Sequence, residues 1–206
     1  MFMRPADARL LLVLAHGAGA GMRHAFMATI AEALAARGVA TLRWEFPYMA
    51  AHKARPDPPV IAEAAVRAVW RAAARLAPDL PRFAGGKSFG GRMTSRAHAA
   101  EALPALRGIA FLGFPLHPPD KPGIERADHL VQATGPLLFV QGTRDELAPL
   151  PRLRPVVRKL GARAVLHVVK GADHGFDVLV RSGRKPAEVM DELAETIATW
   201  MATHAR

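Results

Sequence analysis

Short runs of consecutive apolar residues alternate along the chain with longer segments in which apolar residues recur every three or four positions. The runs are typical of strands buried on both faces, and the periodic segments are typical of amphipathic helices. The runs predict six strands, over residues 10–15, 39–44, 82–86, 109–112, 137–141 and 164–169. The periodic segments predict helices over residues 22–37, 60–76, 89–103, 150–160 and 186–204.

This alternation of strand and helix predicts a parallel sheet covered by helices on both faces, a three-layer α/β/α sandwich. The length of 206 residues fits a single domain over residues 1–206. In sheets of this kind the functional residues lie in loops beyond the carboxyl ends of the strands. Functional residues are therefore expected in the loops after residues 15, 44, 86, 112, 141 and 169.

Composition excludes several classes of function. The chain has no cysteine, which rules out a disulfide framework, a thiolate metal site and a cysteine nucleophile. Half of the residues are apolar, so the chain can bury a large core. The formal net charge of +10 would attract nucleic acid or anionic lipid, but the basic residues are scattered rather than clustered. We therefore expect no nucleic-acid partner.

The beginning of the chain has some features of a secretory signal. Arg4 and Arg9 precede the apolar run 10–15, and small residues follow it. The run is shorter than the apolar core of such a signal, which spans roughly 7–15 residues, and Asp7 interrupts the basic leader. We expect a buried strand here and a soluble cytoplasmic protein, monomeric or homodimeric, with no membrane partner.

The most specific motif is Gly86-Lys87-Ser88-Phe89-Gly90, which matches G-x-S-x-G between a predicted strand and a predicted helix. A serine on such a tight turn has crowded neighbours, so the positions two before and two after it need glycine. The turn exposes the hydroxyl above the sheet, and the N–H of Phe89 points to where an oxyanion would form. The motif therefore predicts Ser88 as a nucleophile and Phe89 as an oxyanion donor.

Two other interpretations use the same residues. One is a glycine-rich turn with an inert serine. The other is a phosphate-binding loop of the form G-x-x-x-x-G-K-[ST], which Gly86-Lys87-Ser88 would end. That loop needs its first glycine at position 81, where this chain has Pro81, so its amides could not surround a phosphate.

A serine nucleophile needs a base, and the base needs an acid to orient it. Asp145 follows the strand predicted over residues 137–141, and His174 follows the last predicted strand. The order Ser88, Asp145, His174 is the order of serine, acid and histidine in one fold class. Glu146 is an alternative acid. Asp145 or His174 taken alone would also fit an ordinary loop residue.

The loop after the first predicted strand, residues 16–21, is rich in glycine and alanine. Small residues let the backbone approach a substrate oxygen, so an amide here would be the second oxyanion donor. Ala18 is the predicted donor, Gly19 is the next candidate, and His16 is expected to be structural. A dinucleotide site is the alternative, but the glycine spacing is G-x-G-x-G rather than G-x-G-x-x-G.

Together these segments resemble the small lidless α/β-hydrolases, in particular the bacterial group related to testis-expressed protein 30, and more broadly the dienelactone hydrolases. The matching segments are 16–19 (HGAG), 46–48 (FPY), 85–92 (GGKSFGGR), 113–118 (GFPLHP), 142–145 (GTRD) and 173–174 (DH). The resemblance implies the α/β-hydrolase fold with about six parallel strands and no lid domain. The full fold has eight strands, and its first two antiparallel strands are expected to be missing because residues 10–15 match the third.

The resemblance also implies a cofactor-free serine hydrolase that cleaves a small ester or related acyl bond through an acyl-enzyme. Ser88 would attack the carbonyl, His174 would transfer the proton, and Asp145 would orient the imidazole. The amides of Ala18 and Phe89 would bind the oxyanion. The expected partner is a small-molecule acyl substrate. A non-catalytic binding or scaffold protein of the same fold is the alternative.

The substrate pocket is expected to have walls from residues 44–49 and 114–117. Gly19, Tyr48 and His117 are the residues expected to contact the substrate. For Tyr48 and His117, the alternative is packing in the core or in a loop.

Two further features of the sequence concern charge. Arg92 and Arg96 lie one helical turn apart and would either attract an acidic substrate or form salt bridges. His117, Asp120 and His129 lack a regular ligand spacing, so no metal site is predicted.

Overall fold

The computed structural model describes residues 1–205, and its centre is a seven-stranded sheet with helices on both faces. The strands are β1 (Phe2–Met3), β2 (Leu10–Ala15), β3 (Val39–Trp44), β4 (Arg82–Lys87), β5 (Leu106–Leu112), β6 (Leu137–Gly142) and β7 (Ala164–Val169). The α-helices are α1 (Ala25–Ala35), α2 (Pro47–Ala50), α3 (Pro59–Leu76), α4 (Phe89–Ala100), α5 (Leu150–Lys159) and α6 (Pro186–Thr203). The strand order is β1-β3-β2-β4-β5-β6-β7.

The predicted α/β/α sandwich and its six parallel strands are confirmed. The edge strand β1 differs from the expectation that no antiparallel strand precedes residues 10–15. It pairs antiparallel with β3, Phe2 opposite Leu42 and Met3 opposite Thr41. Two residues are too few to give an alternating pattern, so the sequence carries no signal for this strand.

Strand β2 shows why the sheet has a helix layer on each face. All six of its residues are buried. Leu10, Leu12 and Leu14 pack in one cluster with residues of α1 and α6, whereas Leu11 and Val13 pack in another with residues of α3 and α4. Because successive side chains of a strand point to opposite faces, a strand that is apolar throughout must be covered twice.

The predicted helices are confirmed with ends that differ by at most three residues. The predicted helix 89–103 ends at Ala100, and the Leu103 N–H then bonds to His98 Nδ1 at 3.0 Å rather than to a helical carbonyl. The proline-rich loops that follow β3 and β5 each contain a short helical turn that the sequence does not predict: α2 in the first and a 3₁₀ helix (Glu125–Val131) in the second. The described part of the chain contains no inserted lid domain. Within residues 1–205, no helix combines the length and apolar character that crossing a membrane would require.

Two buried histidines, His16 and His98, and the half-buried His129 should make folding sensitive to acid. Burial lowers the pKa of His16 and His98, and burial together with the nearby cations Arg96 and Arg92 lowers the pKa of His129 to about 4. The unfolded chain binds protons at these rings from about pH 6.5 downwards, whereas the folded chain binds them only at lower pH, so stability falls as the pH drops below about 6.5.

His129 alone should contribute on the order of 2–3 kcal/mol of this loss. We expect His129→Gln, which can still bond to the Ser95 hydroxyl that lies 2.7 Å from His129 Nε2, to unfold with a weaker pH dependence than the wild type. Urea unfolding at pH 7 and pH 4.5 measures the difference. Parallel pH profiles of the two proteins would contradict the assignment.

Candidate active site

Ser88 occupies the turn between β4 and α4. Its φ of +49° and ψ of −113° form a backbone conformation that residues with a side chain rarely adopt. The Ser88 N–H donates to the Leu112 carbonyl at 3.0 Å, and the Ser88 carbonyl accepts from the Arg92 N–H at 3.1 Å. These bonds tie the turn to β5 and to α4, so the serine is fixed at the carboxyl edge of the sheet.

The structure explains why glycine flanks this turn. A Cβ at Gly86 would lie 2.6 Å from the Ala15 carbonyl oxygen, and a Cβ at Gly90 would collide with the His16 carbonyl oxygen. Strand β4 and helix α4 therefore meet the end of β2 only because these positions lack side chains. The contact also brings the loop after β2 next to Ser88.

His174 and Asp145 lie beside Ser88, and the imidazole is between the hydroxyl and the carboxylate. His174 Nε2 is 2.8 Å from Ser88 Oγ, and His174 Nδ1 is 2.7 Å from Asp145 Oδ2. With its proton on Nδ1, the ring donates to the carboxylate and accepts from the hydroxyl. The Asp145 side chain is 0% exposed and that of His174 is 26% exposed. The imidazole thus lies between a buried anion and an accessible hydroxyl.

Close packing of two loops brings the acid and the histidine together. The Arg144 N–H donates to the Ala172 carbonyl at 2.8 Å, and the Gly171 N–H donates to the Thr143 hydroxyl at 2.9 Å. A Cβ at Gly142 would collide with the Ala172 carbonyl oxygen, so glycine is needed where β6 ends. The loops after β6 and β7 therefore act as one unit.

The loop that carries His174 is also held locally. Asp173 Oδ1 accepts hydrogen bonds from the Gly175 N–H at 2.8 Å and the Asp177 N–H at 3.0 Å. Gly113, at φ +71°, leaves space for the ring, since a Cβ there would lie 3.4 Å from His174 Nδ1. These contacts fix the direction of the imidazole.

Gln141, the last buried polar residue of β6, is a site residue that the sequence analysis did not identify. Its side-chain N–H donates to Asp145 Oδ2, and its side-chain oxygen accepts from the Phe114 N–H at 3.0 Å. Asp145 Oδ1 in turn accepts from the Leu147 N–H at 2.9 Å. In the sequence, a polar amide at the end of an apolar run is the signal that could have identified it.

Replacing Gln141 with leucine should leave the Phe114 N–H without a partner and remove one donor from Asp145. We expect about 1–3 kcal/mol of lost stability and roughly tenfold lower ester hydrolysis. The measurements are urea unfolding and kcat at 25 °C. Unchanged activity with unchanged stability would show that the amide does not position the acid.

The loop after β2 borders Ser88 as predicted for an oxyanion donor. A Cβ at Gly17 would lie 3.9 Å from Ser88 Cβ. The Tyr48 hydroxyl donates to the Ala18 carbonyl at 2.8 Å and so fixes the peptide group between Ala18 and Gly19. Burial raises the pKa of Tyr48 to about 12, so the hydroxyl remains a neutral donor. On the other side of Ser88, Phe89 begins α4, where the first N–H groups have no partner within the helix.

Lys87 is a second residue that the sequence analysis did not assign to the site. Its ammonium donates to the His174 carbonyl and lies 5.3 Å from the centre of the Phe176 ring and 5.8 Å from that of Phe26. Burial lowers the pKa of Lys87 to about 8, although Asp145 and other carboxylates oppose the shift. The side chain joins the serine turn to the histidine loop.

Two cavities meet at Ser88. The first, here called the α1 cavity, measures about 310 Å³ and is lined by residues that include Ala18, Gly19, Phe26, Met27 and His174. The second, the Arg92 cavity, measures about 440 Å³ and is lined by Ala18, Pro56, Asp57, Ser88, Phe89, Arg92, Pro115, Pro119, Arg126 and Leu147. A molecule bound at the serine can thus extend to either side of it.

Several residues expected at the pocket lie elsewhere. Tyr48 is 1% exposed and donates a hydrogen bond to the Ala18 carbonyl, which agrees with the packing alternative. His117 is also buried, and its Nδ1 lies 2.8 Å from the Pro118 carbonyl oxygen. Gly19 does line the α1 cavity. Of the two predicted wall segments, only Pro115 lines either cavity, because the aromatic side chains of both segments turn into the core.

The structure also shows where the residues lie for which the sequence left alternatives open. Glu146 is exposed, whereas its neighbour Asp145 faces the imidazole. Buried His16 accepts a hydrogen bond from the Phe46 N–H at 3.1 Å, which fits the structural role expected of it. Arg96 forms an ion pair with Glu63 at 2.8 Å. Among residues 1–205, no group of three or more histidines and carboxylates is arranged to hold a metal ion.

Comparison with known proteins agrees with this architecture. Residues 8–202 match the alpha/beta hydrolase domain family, and the chain belongs to that family. Its fold is similar to that of an alpha-beta serine hydrolase homologue from Coxiella burnetii (TM-score 0.75, 22% identity, covering 97% of this chain and 89% of that one). It is also similar to a dienelactone hydrolase from Anabaena variabilis (TM-score 0.79, 19% identity, 100% and 91% covered). A serine hydrolase without a lid from Xanthomonas campestris gives a TM-score of 0.71 at 19% identity, with 97% and 87% covered.

Proposed function

We propose that this protein is a serine hydrolase that cleaves a small ester or related acyl bond through an acyl-enzyme. The observation that supports this most is the continuous path of hydrogen bonds from Ser88 Oγ through both nitrogens of His174 to the buried Asp145 carboxylate. An inert serine in a glycine-rich turn has no need of a partner imidazole or of a buried anion behind it. The family and the similar folds of a serine hydrolase homologue and a dienelactone hydrolase are in keeping with the same chemistry.

In the first half-reaction, Ser88 Oγ attacks the ester carbonyl carbon while His174 Nε2 takes the hydroxyl proton. Asp145 stabilises the imidazolium through Nδ1. The carbonyl oxygen becomes an anion, and the amides of Ala18 and Phe89 are the donors proposed to bind it. His174 then gives the proton to the leaving alcohol oxygen, which leaves the acyl group bonded to Ser88.

In the second half-reaction, His174 Nε2 takes a proton from a water molecule, and the hydroxide attacks the acyl carbon. The bond to Ser88 Oγ breaks and the proton returns to that oxygen. One water is consumed, and one alcohol and one carboxylic acid are released. Each amide of the oxyanion site should contribute roughly 10²–10³-fold to the rate.

Within the family, we propose that the chain belongs with the small bacterial hydrolases related to testis-expressed protein 30. The segment Phe46-Pro47-Tyr48 supports this assignment together with the glycine-rich loop that it contacts. Tyr48 bonds to the Ala18 carbonyl, so the two segments form one structural unit beside the serine. The tyrosine is therefore a positioning residue for the proposed oxyanion site.

A fluorophosphonate probe tests the proposed nucleophile directly. The native protein should become labelled at Ser88 and at neither of the other two serines, Ser95 and Ser182, as mapped by peptide mass spectrometry. Labelling should be lost after heat denaturation, because it depends on the folded site. Turnover of short p-nitrophenyl esters and thioesters should be blocked in proportion to labelling.

The alternative is a binding or scaffold protein that keeps the fold without the reaction. It predicts neither labelling nor turnover across the panel of esters. The charge of +10 would then invite a test of DNA binding, with affinity that falls steeply as salt rises. Labelling at Ser88 together with turnover excludes this alternative.

A further inference from the structure

The Arg92 cavity contains two guanidinium groups close to the serine. Arg92 lies on α4, one helical turn after Ser88, and Arg126 lies on the 3₁₀ helix Glu125–Val131, which also contributes to the cavity wall. Both side chains are only partly exposed. The Arg92 guanidinium is held 5.9 Å from the centre of the Phe89 ring. The two cations thus line the same space as the hydroxyl of Ser88.

These cations have little compensation from the protein. Within residues 1–205, neither Arg92 nor Arg126 forms a salt bridge, and Arg92 Nε is buried without a hydrogen-bond partner. The neighbouring Arg96 is different, because Glu63 neutralises it. Asp57 is the one carboxylate among the described residues that line the cavity, and its Oδ2 accepts from the Tyr48 N–H at 2.9 Å.

The electrostatics of Arg92 reflect this imbalance. Burial lowers its pKa to about 10, repulsion from Arg126 and Arg96 adds to the shift, and Glu63 opposes it with the smallest effect of the four. Burial also lowers the pKa of Arg126. Partly desolvated cations that repel each other cost stability unless an anion neutralises them. A carboxylate fits such a pair because it accepts several hydrogen bonds from guanidinium groups at once.

We propose that the substrate is an ester that carries a carboxylate, and that Arg92 and Arg126 bind this carboxylate while Ser88 attacks the ester carbonyl. This proposal rests on the proposed hydrolase function and adds the class of substrate. The carboxylate enters the Arg92 cavity, and the other part of the substrate enters the α1 cavity, where Phe26 and Met27 present apolar surface. The arginines are specificity-determining residues and take no part in proton transfer.

Two pairs of matched substrates test the proposal by kinetics. In the first pair, p-nitrophenyl hemiglutarate carries a carboxylate on its acyl group, and p-nitrophenyl valerate is its neutral counterpart. In the second pair, 4-acetoxybenzoate carries the carboxylate on its leaving group, and phenyl acetate is its neutral counterpart. We expect at least one charged ester to be preferred, with the charged-to-neutral ratio of kcat/KM falling roughly 10–100-fold in Arg92→Met and in Arg126→Met. The change should be mainly in KM, and added salt should reduce the preference.

Arg158→Met is the matched control. It removes the same charge from an exposed position on α5 and should leave the ratio unchanged. Circular dichroism and thermal unfolding show whether each variant is folded. Arg126→Met serves as a second variant on a separate element if Arg92→Met does not fold.

A binding measurement keeps this test independent of turnover. In Ser88→Ala, calorimetry should show that monomethyl glutarate binds and dimethyl glutarate does not. Adding Arg92→Met or Arg126→Met should weaken the binding at least tenfold. One outcome is that neutral esters are hydrolysed while neither arginine substitution changes the charged-to-neutral ratio of kcat/KM or the binding of monomethyl glutarate. In that case the proposed substrate class is wrong and the hydrolase function stands. If no ester is hydrolysed, the hydrolase function fails, and the anion site is then upheld or overturned by glutarate binding alone.

Discussion

Replacing Ser88 with alanine is expected to lower kcat for short p-nitrophenyl esters by at least about 10⁴-fold. Alanine removes the oxygen that would form the acyl-enzyme, and no other described hydroxyl is bonded to His174 Nε2. The backbone should tolerate the change, because alanine has the same steric demands as serine at φ +49°. Stopped assays with purified protein, corrected for spontaneous hydrolysis, give the residual rate.

Ser95→Ala is the control for this experiment. Ser95 is buried on the same helix and bonds to the Arg92 carbonyl at 3.0 Å, but it does not contact His174. Its loss also removes the contact with His129 Nε2, so it should cost about 1–3 kcal/mol of stability and leave fluorophosphonate labelling intact. A Ser88→Ala protein that retains more than a tenth of the wild-type rate would overturn the proposed mechanism.

Gly90→Ala should be strongly damaging, although it adds only one methyl group beside the serine turn. The new Cβ would collide with the His16 and Ala15 carbonyl oxygens, which belong to the backbone of β2 and its loop and cannot rotate away. Either the protein loses about 3 kcal/mol or more, or α4 shifts and moves Ser88 away from His174. We expect a large drop in the urea midpoint together with more than 10²-fold lower ester hydrolysis.

Gly19→Ala is the matched stability control, since nothing lies within 4 Å of the Cβ it would add. It should change the free energy of unfolding by less than about 1 kcal/mol. Equal stability of Gly90→Ala and the wild type would mean that β2 and α4 are farther apart than the structure shows.

The fold could be predicted from the sequence because its information is local. Each buried strand is a short apolar run, and each helix has its own periodicity, so the order of elements follows directly. The positions of Ser88, Asp145 and His174 followed from the same logic, because parallel strands bring their carboxyl ends to one edge. The convergence of the three side chains needed no knowledge of loop conformation beyond that.

The parts that could not be predicted depend on where loops fold back. Tyr48 was expected to contact substrate, but the short helix α2 turns its ring into the core. Arg92 and Arg126 line one cavity because of the path of the long segment between β5 and β6, which no periodic pattern encodes. Lys87 acts through a contact with a residue distant in sequence and had no local signal, whereas the only signal for Gln141 was a polar amide at the end of an apolar run.

The stacked rings of Phe26 and Phe176, with the Lys87 ammonium close to both, should limit the motion of the loop that carries His174. The two rings stack at 5.8 Å with an angle of 16°, and they join α1 to the loop that holds the imidazole. Swinging that loop outwards would require unstacking the rings and releasing the ammonium. The geometry is thus preorganised before any ligand arrives, so little binding energy goes into rearrangement, and turnover should proceed without a slow closing step.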